Sequence, residues 1–209
     1  MICRPLVIGL TAIAIACASI GHAVAGEPRW SVELKGGLFE PDLDDYGEFY
    51  GSDDSTYFAI SATWLASRWL ELGAELGYFD DDGVGVLPVS GTPGAPVEYT
   101  LWPLHVFVTL RGEFTPGQLL VPYAGAGATI AYYEQRIDQQ PDRDGRTDVG
   151  ANARVGLQLL LDRVDPATAA ESGWLDNTYL FVEAQWFTTE VDDIDLGGLV
   201  WLIGFKLEF

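Results

Sequence analysis

The sequence predicts an all-β protein: one eight-stranded antiparallel up-and-down transmembrane β-barrel over residues 26–209, behind a leader of residues 1–25. Three observations carry this. Beyond the leader there is no run of about 18 apolar residues, which a membrane-crossing helix would need. Apolar and polar residues instead alternate with a period of two over eight segments of about ten residues, the length of a tilted membrane strand. The connections between these segments alternate between short and long, as they do when one rim carries tight turns and the other carries loops.

The leader opens with Met1-Ile2-Cys3-Arg4, continues as an Ala/Ile-rich run to Gly21, and ends in Ala23-Val24-Ala25. One positive charge, a short apolar run and a small-x-small site make a cleaved secretory signal peptide. The run is short for a membrane anchor, and Ala14-Ile15-Ala16 before Cys17 is a poor lipobox. Cys3 and Cys17 are the only cysteines and leave with the leader. The mature chain therefore has no disulfide, no thiol nucleophile and no cysteine metal ligand.

In the first strand Trp30, Val32, Leu34 and Leu38 share one face, and Ser31, Glu33 and Lys35 share the other. Further strands are expected at Tyr57–Leu65, Trp69–Phe79, Tyr99–Phe114, Leu120–Tyr133, Val149–Leu161, Thr178–Thr188 and Leu199–Phe209. The alternation is clearest where Leu70, Leu72, Ala74, Leu76 and Tyr78 oppose Glu71, Gly73, Glu75 and Gly77. It is as clear where Leu104, Val106, Val108 and Leu110 oppose His105, Thr109 and Arg111. Residues 66–68 and 115–118 read as tight turns; residues 40–56, 80–98, 134–148 and 189–198 read as loops. The stretch 162–177 breaks the pattern, being a long connection on the short-turn side, with a short helix expected at Pro166–Ser172.

A soluble lipocalin-like barrel also has eight alternating strands, but its apolar face points inward. Here Trp64, Trp69, Tyr78, Trp102, Tyr123, Tyr132, Trp186 and Trp201 fall near strand ends or turns, as aromatic girdles at two interfaces would. Ionisable residues of both signs on the opposite face do not fit an apolar ligand cavity. The inward set is Glu33, Lys35, Glu71, Glu75, His105, Arg111, Arg154, Glu183, Gln185, Lys206 and Glu208. In a barrel narrow enough to be filled by side chains, these form either a salt-bridged plug or a narrow charged pore.

Loss of Arg4 with the leader leaves 10 basic against 31 acidic residues, a formal charge of −21. That balance excludes nucleic-acid binding, which needs Lys and Arg on phosphates. The acids gather in the four loops: Asp42, Asp44, Asp45, Glu48, Asp53 and Asp54; Asp80, Asp81 and Asp82; Asp142, Asp144 and Asp148; Asp192, Asp193 and Asp195. Asp142-Arg143-Asp144-Gly145 resembles half of a calcium loop, but the spacing completes no EF-hand. No dedicated metal site and no cofactor are expected, only divalent cations held loosely between acidic loops and anionic lipid.

Trp201, Ile203, Phe205, Leu207 and Phe209, at every second position to the last residue, resemble the C-terminal assembly signal of outer-membrane proteins. The resemblance implies recognition by the barrel-assembly machinery. The run Tyr99–Tyr133 includes Leu101-Trp102-Pro103-Leu104-His105-Val106, a Pro-Gly turn and Val121-Pro122-Tyr123-Ala124-Gly125-Ala126-Gly127. It resembles the central hairpin of the small outer-membrane β-barrel superfamily, which includes OmpA-type and OmpW-like barrels. That resemblance implies a Gram-negative outer-membrane location, with outer-membrane lipids and lipopolysaccharide as partners, and carries no family-wide catalytic residue. Outer-membrane lipid A deacylases are similar in size and use a His with a Ser two positions on. His105 is the only histidine outside the leader, and Phe107 stands at that second position, so no catalytic residue is assigned. The expected function is non-enzymatic, a structural or surface-interaction role. A narrow pore or transporter for small solutes is the alternative, and a lipid A-modifying enzyme comes third.

Overall fold

Period-two alternation favours extended chain, because side chains on a pleated strand point alternately to opposite faces. The computed structural model describes residues 30–42, 55–84, 96–137, 143–164, 175–192 and 194–209; the expected signal peptide and the helix expected at Pro166–Ser172 lie outside them. Eight long strands form: β1 (Trp30–Pro41), β2 (Ser55–Ser67), β3 (Leu70–Val84), β4 (Pro96–Arg111), β5 (Leu120–Ile137), β7 (Gly150–Leu160), β8 (Asn177–Phe187) and β11 (Gly198–Glu208). A short β6 (Arg143–Arg146) extends β5 as a hairpin, and β9 (Glu190–Val191) pairs with β10 (Ile194–Asp195).

Every pairing is antiparallel, and the ring runs β1-β2-β3-β4-β5-β7-β8-β11 and back to β1. The last seam is fully made, from Ser31 opposite Glu208 to Pro41 opposite Gly198. Beyond it Trp30 and Phe209 exchange backbone hydrogen bonds of 3.2 and 3.0 Å. Closure matters because an open strand edge in hydrocarbon would leave backbone donors and acceptors without partners. Among the described residues no helix is long and apolar enough to cross a membrane.

The outward faces are apolar and exposed: Leu34, Leu38, Phe58, Ile60, Leu72, Leu104, Val106, Val108, Leu110, Val182, Ile203 and Phe205 among them. This inverts a soluble barrel. Trp64 and Trp69 lie at the rim that holds the tight turns, where Trp30 faces Trp64. Toward the other rim Tyr78 packs on Trp102 at 4.6 Å, and Trp102 faces Tyr132 on β5. Trp186 and Trp201 are also outward. Tyr123 departs from the girdle expected of it. It points inward, is buried, and donates from its hydroxyl to Glu183 Oε2 at 2.9 Å.

Several boundaries differ from expectation. β3 and β4 run past the expected loop ends, so Asp80, Asp81 and Asp82 are strand residues, and β5 continues to Ile137. Cross-strand pairing above the rim outweighs their weak intrinsic strand preference. β4 stops at Arg111 rather than Phe114, because Gln118 takes over the backbone groups of the turn. Its amide donates to the carbonyls of Gly112 and Leu120, and its oxygen accepts from Phe114 N.

Candidate functional site

The inward faces define the candidate site, which is the lumen. Its first storey, toward the tight-turn rim, is the charged set expected from the alternation. Glu33, Lys35, Glu71, Glu75, His105, Arg111, Arg154, Glu183, Gln185, Lys206 and Glu208 are all buried. Lys35 Nζ lies 2.5 Å from Glu75 Oε2 and 2.7 Å from Glu183 Oε1. Arg154 Nη1 donates to Glu75 Oε2 at 2.9 Å, and Ser61 donates to the same oxygen at 3.0 Å. Lys206 donates to Glu71. Arg111 Nη1 donates to Glu208 Oε1 at 2.8 Å and lies 3.1 Å from Glu71 Oε1. Lys35–Glu183, Arg154–Glu75, Lys206–Glu71 and Arg111–Glu208 each join strands that are not neighbours in the ring, so they brace the barrel from within.

The arginines also lie over aromatic faces. The Arg154 guanidinium sits 3.6 Å from the Phe107 ring centre, and that of Arg111 sits 5.3 Å from Tyr179. Such desolvated cation–π contacts add to the ion pairs. Room for the rings comes from β3. A Cβ on Gly73 would lie 2.4 Å from Phe107 Cζ, and one on Gly77 would lie 1.9 Å from the Tyr57 hydroxyl.

The second storey corrects the expectation of a polar lumen throughout. Toward the loop rim Phe39, Tyr57, Phe79, Tyr99, Leu101, Phe187, Val200 and Leu202 form one buried cluster. Phe39 meets Phe79 edge-on at 5.0 Å and stacks with Phe187 at 5.5 Å. Leu196, just after the β9–β10 hairpin, belongs to the same cluster, and Val191 and Ile194 of the hairpin pack against it. Asp195 Oδ1 accepts from the backbone N–H groups of Thr189 (2.9 Å) and Gly197 (2.8 Å), fixing that hairpin as a cap. The cap is tied to the neighbouring strands through Thr189 and Thr147 and by Asp148 N to Glu190 O at 2.8 Å.

His105 marks the junction of the storeys. Nδ1 is 2.7 Å from Thr129 Oγ1, Nε2 is 3.4 Å from the Tyr57 hydroxyl and 3.9 Å from Glu75 Oε1, and the ring meets Phe187 edge-on. His105 and both hydroxyl neighbours, Thr129 and Tyr57, are buried.

Of the residues expected to form an assembly signal, Trp201, Ile203 and Phe205 lie on the outer face of β11, more than half exposed (51, 56 and 53%), and Phe209 follows the strand's last residue. Among the acidic groups expected in loops, Asp44, Asp45, Glu48, Asp53, Asp54, Asp142 and Asp193 lie outside the described residues. Asp144 belongs to the β6 strand and accepts from the Tyr132 hydroxyl at 2.6 Å, so Arg143, Asp144 and Gly145 of the half-loop have strand geometry instead. Among the described residues no three His, Asp or Glu side chains converge as metal ligands would.

Sequence reasoning missed Tyr57, Tyr123, Thr129 and Asn152 as parts of the lumen network. Their inward parity was the available signal.

A closed eight-stranded barrel with apolar exterior and braced lumen defines the class: the fold is that of the small outer-membrane β-barrels. Solved structures that share it include two outer-envelope proteins. Neisserial surface protein A matches with a TM-score of 0.58 at 12% identity, over 86% of this chain and 97% of that one. The outer membrane protein OprG from Pseudomonas aeruginosa matches with a TM-score of 0.58 at 12% identity, over 90% of this chain and 99% of that one. No protein-family model matches the sequence, and no curated protein sequence matches it.

Proposed function

We propose that the protein is an integral protein of the Gram-negative outer membrane, exported by cleavage of residues 1–25, with a structural or surface-interaction role and no catalytic or cofactor chemistry. The observation that carries this reading is the filled lumen. Ion pairs brace one storey, an aromatic cluster fills the other, and a hairpin caps it. The apolar outer wall is suited to lipid, and both similar structures are by name surface or outer-membrane proteins. With the interior occupied, the parts left to meet partners are the lipid-facing wall and the acidic rim. Outer-membrane lipids and lipopolysaccharide are the partners, with divalent cations bridging loosely. The outward Trp201, Ile203 and Phe205 of β11 suit recognition by the barrel-assembly machinery.

A narrow solute path is the second reading. Arg111, Arg154 and Gln185 hold side-chain nitrogens that are buried without a protein hydrogen-bond partner, as in a hydrated interior. Fractionation of the native host, with a heat-dependent gel shift for the folded barrel, tests the leading reading. Recovery in the outer membrane in the heat-modifiable form is expected. Recovery in the soluble periplasm overturns it.

A further inference from the structure

The ion pairs of the lumen do not balance. Among the described residues, Glu33, Glu71, Glu75, Glu183 and Glu208 are buried against the four cations Lys35, Arg111, Arg154 and Lys206. Four of these glutamates are matched one to one at hydrogen-bonding distance. Lys35 takes Glu183 at 2.7 Å, Arg154 takes Glu75 at 2.9 Å, Arg111 takes Glu208 at 2.8 Å, and Lys206 takes Glu71. Glu33 is the fifth. Its nearest cations are Lys206 Nζ at 3.6 Å and Lys35 Nζ at 3.9 Å, both already hydrogen-bonded to other carboxylates.

The surroundings of Glu33 bring further negative charge and no spare cation. Ser61 on β2 stands opposite it in register. Glu183 on β8 and Glu71 on β3 hold the hydrogen bonds of the same two lysines, Lys35 and Lys206. Tyr123 on β5 holds its proton toward Glu183. Arg154 on β7 is engaged with Glu75, and Lys206 on β11 with Glu71. His105 makes no hydrogen bond to a carboxylate: its Nε2 is 3.9 Å from Glu75 Oε1, and Glu75 already holds Lys35 and Arg154 on its other oxygen. A buried charge without a hydrogen-bonded counter-ion is costly, and a buried carboxyl avoids that cost by keeping its proton.

We infer that Glu33 is a proton-binding site: in the folded barrel at neutral pH it is a carboxylic acid, so that the remaining four buried glutamates balance the four buried cations with His105 uncharged. The proton comes from water as the barrel closes, since the glutamate is ionised in the unfolded chain at that pH. The inference rests on the reading that these strands lie within the membrane, where bulk water cannot screen the imbalance.

Infrared spectroscopy of the refolded barrel in deuterated buffer at neutral pD tests it, because a protonated carboxyl has a C=O stretch above the carboxylate and amide bands. The wild-type barrel is expected to show that band, Glu33→Gln to lose it while keeping the heat-dependent gel shift, and His105→Asn to keep it. If the folded wild type shows no such band, or if the band survives in Glu33→Gln, the assignment is overturned. Nitrogen NMR of the wild type decides it without any variant. Neutral ring nitrogens on His105 are expected, and a cationic imidazole at neutral pH overturns the inference. A soluble fractionation with the infrared band intact would instead overturn the membrane location and leave the proton on Glu33.

Discussion

Arg111 on β4 and Glu208 on β11 meet across the full width of the lumen, with Nη1 2.8 Å from Oε1. Their strands stand four places apart in the ring of eight, which is as far apart as two strands of this barrel can be. Both residues are buried, so the pair acts as an internal strut rather than a surface contact, whose contribution would be small.

Removing one end of that strut leaves Glu208 and Glu71 competing for Lys206. Arg111→Met is expected to lower the unfolding free energy by about 3–5 kcal/mol, the usual result of stripping a buried charge of its partner. Arg111→Met with Glu208→Gln is expected to recover most of the loss. Urea unfolding in lipid vesicles, followed by tryptophan fluorescence, measures both; a single variant within about 0.5 kcal/mol of wild type would remove the strut from the account.

The aromatic storey is expected to hold the loop-side half of the barrel together. Phe39 touches Tyr57, Phe79 and Phe187. Phe39→Ala should cost about 3–5 kcal/mol in the same unfolding experiment, as large-to-small core changes do. If the cluster is also the barrier to solutes, the doubly truncated Phe39→Ala/Phe187→Ala barrel should conduct in a planar bilayer.

The direction in which the wall faces is tested by a charge placed on it. Val106 is outward on β4 and 52% exposed, and in a water-soluble barrel a lysine there would be nearly neutral. In a lipid-facing wall Val106→Lys should cost about 2–4 kcal/mol near mid-span.

The cap has its own weak point in Asp195, whose carboxylate holds two backbone donors. Asp195→Ala is expected to speed limited proteolysis within residues 189–197 while leaving the barrel's unfolding midpoint close to wild type. An equal loss of global stability would mean the cap is integral to the barrel rather than laid over it.

Much of the barrel is legible in the sequence because the outward residues are apolar and, near the tight-turn rim, the inward ones are charged. Glu71, Glu75, Arg111 and Lys206 reveal their face by parity alone. Toward the loop rim the signal fails, since both faces are apolar: Tyr57 is inward and Phe58 outward, Leu101 inward and Trp102 outward. The second storey was therefore invisible as a separate layer. Tyr123, in the charged storey opposite Arg111, was read onto the wrong face because an aromatic residue near a turn also fits a girdle. Partner choice was not legible either. Lys35 meets Glu183 rather than its own-strand neighbour Glu33 because the stagger of eight strands fixes which side chains reach one another across the lumen. The loop acids Asp80 and Asp81 look like loop residues by composition, yet pairing with Thr100 and Tyr99 makes them strand.

The central claim is that the barrel spans the membrane with its lumen sealed. Single-channel recording in planar bilayers tests it most directly, using wild-type protein whose heat-dependent gel shift shows it to be folded. The wild type is expected to leave the bilayer silent. Stable, ion-selective steps from the folded wild-type barrel would contradict it and bring the narrow-pore reading forward.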